Sequence, residues 1–287
     1  MEGTKKLEGA VVVTGAASGI GEGIARRAAT LGMDVGISDI DEERLGEVAE
    51  SIAAGGTKVL SRVVDVGDPD AFEELAAAAF AQFDRIRVFV NDAGVEATGR
   101  VWETSPETFG HVMRVNLLGT FNGLRAFVPR LIDQGSDASV VNVSSLASLM
   151  SGPPQQSAYS ASKHGVQSLT ETLYLELAEV GAPISVHIVN PGPVATHIFS
   201  DAATEGAAGE AAYKEFVTLT SERGMTGLEA GEIILDGVAR GDFWIATHPA
   251  WRDAAAASRA EVIGIPTVPR LPDFPDGGLS GDEGPAS

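Results

Sequence analysis

The chain contains no cysteine among its 287 residues. Disulfides, thiolate metal sites and a cysteine nucleophile are therefore excluded. Basic residues are also scarce, with 20 Lys and Arg against 40 Asp and Glu, which gives a formal charge of −20 at pH 7. A surplus of negative charge of this size argues against nucleic acid and anionic membrane surfaces as partners.

Long apolar runs are missing as well. Residues 1–9 are charged and lack the apolar core of a signal peptide. Nowhere do about 18 apolar residues follow one another, as a membrane-spanning helix requires. We therefore expect a cytoplasmic protein that does not associate with membranes. The five histidines are scattered without the spacing of metal ligands, so we expect no metal site.

What the sequence does have is an alternation of short apolar runs with amphipathic segments of helix length. The runs are rich in β-branched residues, which is typical of parallel strands buried on both faces. This pattern predicts an α/β fold, a doubly wound parallel sheet of about seven strands with helices on both faces, in a single domain over residues 1–264. The predicted strands are 10–13, 35–37, 59–64, 88–90, 140–143, 186–189 and 243–246, and the predicted helices are 19–31, 42–54, 69–83, 106–131 and 157–180.

A glycine-rich turn follows the first predicted strand and opens the first predicted helix. Gly15 permits a tight turn, and Gly19 and Gly21, with Ser18 and Ile20 beside them, let the backbone approach a ligand closely. Backbone N–H groups and the helix dipole favour an anion at this point. The spacing G-x-x-x-G-x-G alone would also fit an ordinary turn, but the strand before it and the helix after it favour a nucleotide phosphate site.

Acidic residues follow the next two strands. Asp39 could accept hydrogen bonds from both hydroxyls of an adenosine ribose and would repel a 2′-phosphate, which favours NAD over NADP. Asp39 could instead, or also, cap the helix that starts near Asp41. Asp65, followed by Val66, could bind an adenine amino group, or it could cap the turn into Pro69.

A second group of residues could carry acid–base chemistry. Tyr159 and Lys163 are four residues apart on a predicted helix and so share one face. A nearby ammonium favours the phenolate form and lowers the pKa of a phenol toward the useful range. Ser144 and Ser145 end a buried strand, and Asn116 is a polar amide within an apolar helical segment. Each residue alone has an ordinary structural explanation, but their order after a nucleotide turn predicts a catalytic site.

Together these motifs resemble the short-chain dehydrogenase/reductase family over roughly residues 8–250. The matching pieces are residues 14–21, the run Asn91, Asp92, Ala93 and Gly94, then Asn116, Ser144, Ser145, residues 159–163, Pro191, Gly192 and Thr196. The resemblance implies a Rossmann fold, NAD as cofactor, and interconversion of a secondary alcohol and a ketone. It also implies a homotetramer or homodimer built on the helices that contain Asn116 and Tyr159.

The resemblance also implies residue roles. Tyr159 would be the general acid/base, Lys163 would lower its pKa and hold the nicotinamide ribose, Ser145 would bind the substrate oxygen, and Asn116 would hold a water of a proton relay. The nicotinamide carboxamide would be bound by Thr196 and by the backbone at Val194, in the loop that begins at Pro191 and Gly192. Asn91, Ala93 and Gly94 would lie against the cofactor. Two positions depart from the family pattern: Asp92 replaces a usual asparagine, and the Ser145–Tyr159 spacing is one residue longer than is common.

The substrate pocket is expected to be mostly apolar, because ligand sites usually are. Besides Ser145, its candidate walls are Val95, Glu96, Leu146, Met150, Pro153, Pro193, Phe199 and Phe216, although many of these could simply be core residues. Residues 193–226 are expected to form a substrate loop or lid, or alternatively a plain pair of surface helices. Residues 265–287 are rich in Pro and Gly and are expected to be a disordered tail or an arm across a partner subunit, with Phe274 near the active site.

Two other functions remain open at this point. An acyl-carrier-protein ketoreductase of the 3-oxoacyl type usually prefers NADP and a basic docking patch, and both Asp39 and the acidic composition argue against it. A regulator that binds NAD without turnover tends to lose the Tyr or the Lys, and this chain keeps both.

Overall fold

Parallel strands dominate the computed structural model, which describes residues 6–198, 202–264 and 268–275. The main sheet has seven strands in the order β3-β2-β1-β4-β6-β7-β9, and all neighbours pair in parallel. A small second sheet pairs β5 with β8. The predicted doubly wound parallel sheet is therefore confirmed. The strands are β1 (Ala10–Thr14), β2 (Asp34–Asp39), β3 (Val59–Val63), β4 (Ile86–Asn91), β5 (Ala97–Thr98), β6 (Ala138–Val143), β7 (Ile184–Asn190), β8 (Ala203–Thr204) and β9 (Trp244–Ala246).

Helices cover both faces of the main sheet. Their bounds are α1 (Gly19–Thr30), α2 (Glu42–Ala53), α3 (Pro69–Gln82), α4 (Pro106–Val112), α5 (Gly119–Gln134), α6 (Ser157–Glu179), α7 (Gly206–Arg223), α8 (Gly227–Arg240) and α9 (Pro249–Gly264). None of the helices in the described ranges is long and apolar enough to cross a bilayer.

Two apolar cores lie on opposite faces of the sheet. On one face, Val11 and Val13 pack with Ile24 of α1 and Ile234 of α8. On the other, Val12 packs in a cluster that includes Phe72, Phe89 and Phe127, and the rings of Phe89 and Phe127 stack 3.8 Å apart. Alternate residues of one strand thus enter different cores, which explains why β1 is fully buried.

Helices α1 and α8 pack closely because glycines face each other. A Cβ on Gly23 would collide with the backbone of Gly227, and one on Gly231 would lie 2.4 Å from the carbonyl carbon of Gly23. Thr226 and Glu229 form a capping box at the start of α8, a sequence signal that the prediction above did not use. Helices α8 and α9 were not predicted from the sequence.

One predicted helix is interrupted. The prediction of one helix over 106–131 was wrong, since a π-helical turn at Met113–Leu118 separates α4 from α5. Such turns insert an extra residue per turn and frequently occur at functional sites. The turn contains Asn116.

The chain order of the sheet reverses between β1 and β4, since β2 and β3 lie to one side of β1 and the later strands to the other. Open α/β sheets bind ligands at the carboxyl ends of the strands where this reversal occurs. Thr14 ends β1 and Asn91 ends β4. The loops that follow these two residues are therefore expected to line a ligand site.

Candidate active site

A large crevice, with a cavity volume of about 510 Å³, lies at these carboxyl ends. Most of the predicted site residues line it. At the nucleotide end these are Gly15, Ser18, Gly19, Ile20, Asp39, Asp65, Val66, Ala93 and Gly94, and further along they are Val95, Ser145, Leu146, Met150, Tyr159, Lys163, Pro191, Gly192, Pro193, Val194, Thr196 and Phe216.

The glycine turn brings backbone close to the crevice. Gly15 has a φ of +71°, and a Cβ there would lie 2.7 Å from the Cα of Ala93. Gly19 has a φ of +59°, and its Cβ would lie 2.7 Å from the Cγ2 of Thr196, in the loop after β7. The side chain of Ser18, at the N-cap of α1, makes no capping hydrogen bond. The first turn of α1 is therefore arranged to receive an anion, as a dinucleotide pyrophosphate requires.

Asp39 is fixed by backbone donors on both of its oxygens. The N–H of Ala17 donates to Oδ2 at 3.0 Å, and the N–H of Asp41 donates to Oδ1 at 3.1 Å. The alternative in which Asp39 caps α2 is wrong, because Asp41 is the N-cap and accepts from the N–H of Arg44. Asp39 thus places a negative charge directly beside the glycine turn.

Asp65 stabilises its own turn and also binds an arginine. Its Oδ1 accepts from the N–H of Gly67 at 2.8 Å, and Arg114 Nη1 donates to Oδ2 at 2.9 Å. Burial opposes ionisation of the carboxyl, but the Gly67 N–H and the Arg114 guanidinium outweigh it and lower the pKa of Asp65. The cap of α3 is Asp68, not Asp65.

Three of the predicted catalytic and cofactor-binding residues do not line the crevice. Asn91 is buried and donates to Asn142 Oδ1 at 2.9 Å, so its side chain points into the protein. Gly21 packs against the backbone of Gly15 behind the turn. Asn116 is also buried. Phe199 lies outside the described residues.

Asn116 clamps the segment that follows β4. Its Oδ1 accepts from the N–H of Val95 at 2.8 Å, and its Nδ2 donates to the Val95 carbonyl at 2.9 Å and to Ser162 Oγ at 3.0 Å. Ser162 in turn donates to the carbonyl of Tyr159 at 2.7 Å. Asn116 therefore joins the π-helical turn, the segment at Val95 and helix α6.

Helix α6 carries Tyr159 and Lys163 on the face toward the crevice. The Nζ of Lys163 lies 5.6 Å from the centroid of the Tyr159 ring and donates to the Val143 carbonyl at 3.0 Å. Ser144 donates to the backbone carbonyl of Lys163 at 2.9 Å. Ser145 accepts from the N–H of Ala147 at 3.1 Å, and its hydroxyl is hydrogen-bonded to the Tyr159 phenol.

The electrostatics of this group differ from the expectation. Burial lowers the pKa of Lys163 to about 8, although Asp92 and Glu96 act to raise it. Burial, followed by the charge of Glu96, raises the pKa of Tyr159, and the hydrogen bond from Ser145 only partly offsets this. The pKa of Tyr159 is therefore raised, not lowered as expected, because burial and then the nearby carboxylates disfavour the ionised phenol. The lowering of this pKa by Lys163 itself stays a prediction.

Glu96 was expected as a wall of the substrate pocket, but it does not line the crevice. It is buried, and its oxygens accept from the N–H of Ala97 at 3.0 Å and from Gln156 Nε2 at 3.1 Å. Burial raises the pKa of Glu96 well above its usual range, against the effects of the Ala97 N–H and Lys163. Its effect on the charge of the site was not predicted from the sequence.

Asp92 also carries a shifted pKa. Burial raises the pKa of Asp92 to about 7, while Lys163 and the N–H of Gly21 act to lower it. The asparagine that the family usually has at this position cannot titrate. Asp92 therefore adds a negative charge between the glycine turn and Lys163 near neutral pH.

The substrate end contains two further aromatic residues, of which only Phe274 was expected near the active site, and then on a partner subunit. Trp251 of α9 and Phe274 line the crevice together with Leu219. Phe274 belongs to the region expected to be a disordered tail or a partner arm, but it is buried on its own chain against Trp251. The prolines of that region break the periodicity from which burial is inferred, so the burial of Phe274 was not predicted from the sequence.

Among the described residues, no group of three or more His, Asp or Glu side chains is arranged to hold a metal ion. The backbone cradle of the glycine turn, the carboxylate of Asp39 and the size of the crevice fit a dinucleotide. The arrangement can hold such a ligand and can move a proton at the Tyr159 hydroxyl.

Comparisons with known proteins agree with this geometry. Residues 9–206 match the model of the short chain dehydrogenase family. An uncharacterized NAD-dependent oxidoreductase of Mycobacterium tuberculosis is 41% identical over 197 residues, which cover 64% of this chain and 70% of the relative. The crystal structure of a short chain dehydrogenase/reductase from Burkholderia phymatum in complex with NAD has a TM-score of 0.88 and 32% identity, covering 93% of this chain and 98% of that one. Levodione reductase superposes with a TM-score of 0.73 at 26% identity, over 85% of this chain and 98% of that one.

Proposed function

The chain belongs to the short-chain dehydrogenase family of oxidoreductases, and from this premise we propose that it uses NAD to interconvert a secondary alcohol and a ketone. The observation that carries the proposal is that Ser145, Tyr159 and Lys163 line one dinucleotide-sized crevice, with the Lys163 ammonium 5.6 Å from the centroid of the Tyr159 ring. Bound NAD supplies the acceptor or donor of the hydride at the substrate carbon.

The residues of the chain would handle the oxygen and its proton. Ser145 and Tyr159 would both hydrogen-bond the substrate oxygen, since their hydroxyls already lie in contact. In alcohol oxidation the phenolate of Tyr159 takes the hydroxyl proton, and in ketone reduction the phenol donates it. The positive charge of Lys163 faces the Tyr159 ring and would stabilise the phenolate when it forms.

Asn116 is assigned a positioning role. Its amide is engaged by the backbone of Val95 and by Ser162, two contacts that fix helix α6 relative to the segment after β4. This favours alignment of Tyr159 and Lys163 over the direct holding of a relay water by the side-chain amide.

NAD is proposed over NADP because Asp39 stands beside the glycine turn. Its carboxylate would accept bonds from ribose hydroxyls and would repel a 2′-phosphate. The relative from Mycobacterium tuberculosis that is described as NAD-dependent and the NAD-bound structure from Burkholderia phymatum support the same choice.

The substrate is proposed to be bulky or apolar. The end of the crevice beyond Ser145 is lined by apolar side chains, among them Leu146, Met150 and Phe216. Residues 193–226 are proposed to form the substrate loop, since Pro193 and Phe216 both contribute to this end. Levodione reductase, whose name describes reduction of a ketone, is a structural neighbour consistent with that chemistry.

A homodimer or homotetramer is proposed to use the outer faces of α5 and α6. Large apolar side chains are exposed there, with Phe121 43% and Leu175 67% accessible. Exposed apolar side chains grouped on neighbouring helices are typical of subunit interfaces. Sedimentation velocity of the purified protein tests this, and a monomer at micromolar concentration would contradict it.

The proposed reaction is tested by incubating the protein with NAD and a panel of secondary alcohols while following NADH absorbance and fluorescence. We expect NADH to form with at least one alcohol, and NADPH to form more slowly when NADP replaces NAD. Binding of NAD without turnover of any alcohol or ketone would favour a non-catalytic regulator. A strong preference for NADP and 3-oxoacyl thioesters would favour the ketoreductase.

A further inference from the structure

Phe274 and Trp251 form a stacked aromatic pair at the substrate end of the crevice. Their ring centroids are 4.6 Å apart and the ring planes are inclined by 23°. Both side chains are nearly buried, with 7% of Phe274 and 6% of Trp251 accessible. Val268, in the same C-terminal segment, is 79% accessible. Among the described residues of this segment, only Pro272 and Phe274 are buried.

The pair belongs to a small apolar cluster separate from the two cores that hold the sheet. Its other buried members are Leu146, Leu149, Met150 and Ala255. Leu146 directly follows Ser145, so the cluster begins one residue from the hydroxyl proposed to bind the substrate oxygen. Both rings also line the same crevice as Ser145 and Tyr159.

The two ends of the crevice have different chemistry. The nucleotide end carries the charged side chains of Asp39, Asp65 and Arg114. The substrate end is walled by Leu146, Met150, Phe216, Leu219, Trp251 and Phe274. An apolar wall with two aromatic rings gains most from a ligand that buries a flat apolar surface against it.

We propose that Phe274 and Trp251 form a specificity wall that selects secondary alcohols and ketones bearing an aromatic or similarly flat apolar ring beside the reacting carbon. This rests on the proposed oxidoreductase function and names its substrate class. Phe274 is a specificity residue because it contacts the substituent of the substrate, and the proton and hydride are handled elsewhere. The C-terminal segment thereby becomes part of the active site of its own subunit.

The test is a comparison of Phe274→Ala with the unaltered protein on 1-phenylethanol and on 2-butanol, at saturating NAD. For 1-phenylethanol we expect kcat/KM to fall roughly tenfold or more, a size typical of lost apolar contact in a binding pocket. For 2-butanol, which does not reach the wall, kcat/KM should change less than about twofold, and the affinity for NAD should be unchanged. Val268 is an exposed position of the same segment. Val268→Ala is therefore the matched control and should leave kcat/KM for both alcohols unchanged.

Two further measurements keep the outcomes separable. Phe274→Leu retains an apolar side chain and should keep the fold if Phe274→Ala does not, while still losing most of the preference for the aryl substrate. Equal effects on both alcohols, or no effect on either, would overturn the wall while leaving the oxidoreductase function standing. If no alcohol is oxidised even by the unaltered protein, the proposed function fails, and binding of acetophenone is measured by quenching of tryptophan fluorescence. Loss of that binding in Phe274→Ala and Phe274→Leu would support the wall by itself, and unchanged binding would refute it.

Discussion

The ammonium nitrogen of Lys163 lies 5.6 Å from the centroid of the Tyr159 ring, one helical turn away on α6. The same nitrogen is held by the carbonyl of Val143 at the end of β6. The helix thus determines the separation of the two side chains, and the sheet determines where the charge is placed. The Tyr–Lys pair is the part of the site that the sequence predicted best, because a spacing of four in a helix places two side chains on one face.

Replacing Tyr159 by Phe tests the acid–base role. We expect the rate of alcohol oxidation to fall roughly 10²- to 10⁴-fold, the contribution usual for a positioned acid–base group. Affinity for NAD, measured by titration, should be nearly unchanged, because only one hydroxyl is removed. Tyr174→Phe on the same helix is the control, since Tyr174 is 50% exposed and distant in sequence from the site. Retained turnover in Tyr159→Phe would refute the role assigned to the phenol.

Replacing Asp39 by Asn tests the choice of cofactor. The amide keeps the shape of the side chain but removes the charge that would repel a 2′-phosphate. We expect the ratio of kcat/KM for NAD to that for NADP to fall about tenfold or more. Asp34→Asn, at the opposite end of β2, is the matched control and should leave the ratio unchanged. An unaltered ratio in Asp39→Asn would assign Asp39 only to holding the turn at Ala17.

Much of the fold and of the nucleotide end follows from local pattern, and the rest depends on tertiary contacts. Buried β-branched runs and the glycine turn predicted β1, α1 and their connection. The sequence could not reveal that Glu96 is buried beside Gln156, because that contact joins residues 60 positions apart. The burial of Phe274 on its own chain was missed for the same reason, since it depends on Trp251 and not on any periodicity of its own segment. The π-helical turn at Asn116 escaped because its apolar pattern is nearly that of an α-helix.

Replacing Glu96 by Gln is expected to shift the pH dependence of the reaction. The charge of Glu96 raises the pKa of Tyr159, so a neutral side chain of the same size should lower the pKa of that phenol. Alcohol oxidation requires the phenolate, and the rise of kcat/KM with pH should therefore move to lower pH. The full pH profile of oxidation is the measurement, with the exposed Glu103→Gln as control. A shift to higher pH, or no shift, would show that the charge of Glu96 does not raise the pKa of Tyr159.

The buried carboxyl of Asp92 is expected to make the stability of the folded protein depend on pH. Burial raises the pKa of Asp92 to about 7 in the folded protein, against an ordinary value of 3.8. The folded state therefore binds the proton more tightly than the unfolded state, and the contribution of Asp92 to stability is lost as pH rises from about 4 to about 7. Asn at this position does not titrate, so Asp92→Asn should gain stability relative to the unaltered protein over that range.

The size and direction of this gain can be measured by thermal or urea unfolding of both proteins at several pH values. The relative gain should be on the order of a few kcal/mol or less, given about 1.4 kcal/mol for each unit of pKa shift. Lys163 acts in the opposite direction, because its positive charge favours the Asp92 carboxylate and so limits the rise of the Asp92 pKa to about 7. A difference in the free energy of unfolding that stays constant or shrinks between pH 4 and pH 7 would mean that Asp92 is ionised in the folded protein throughout. In that case Asp92 would be a stable ion-pair partner of Lys163. The aspartate that this chain has in place of the family's usual asparagine would then stabilise the site at neutral pH.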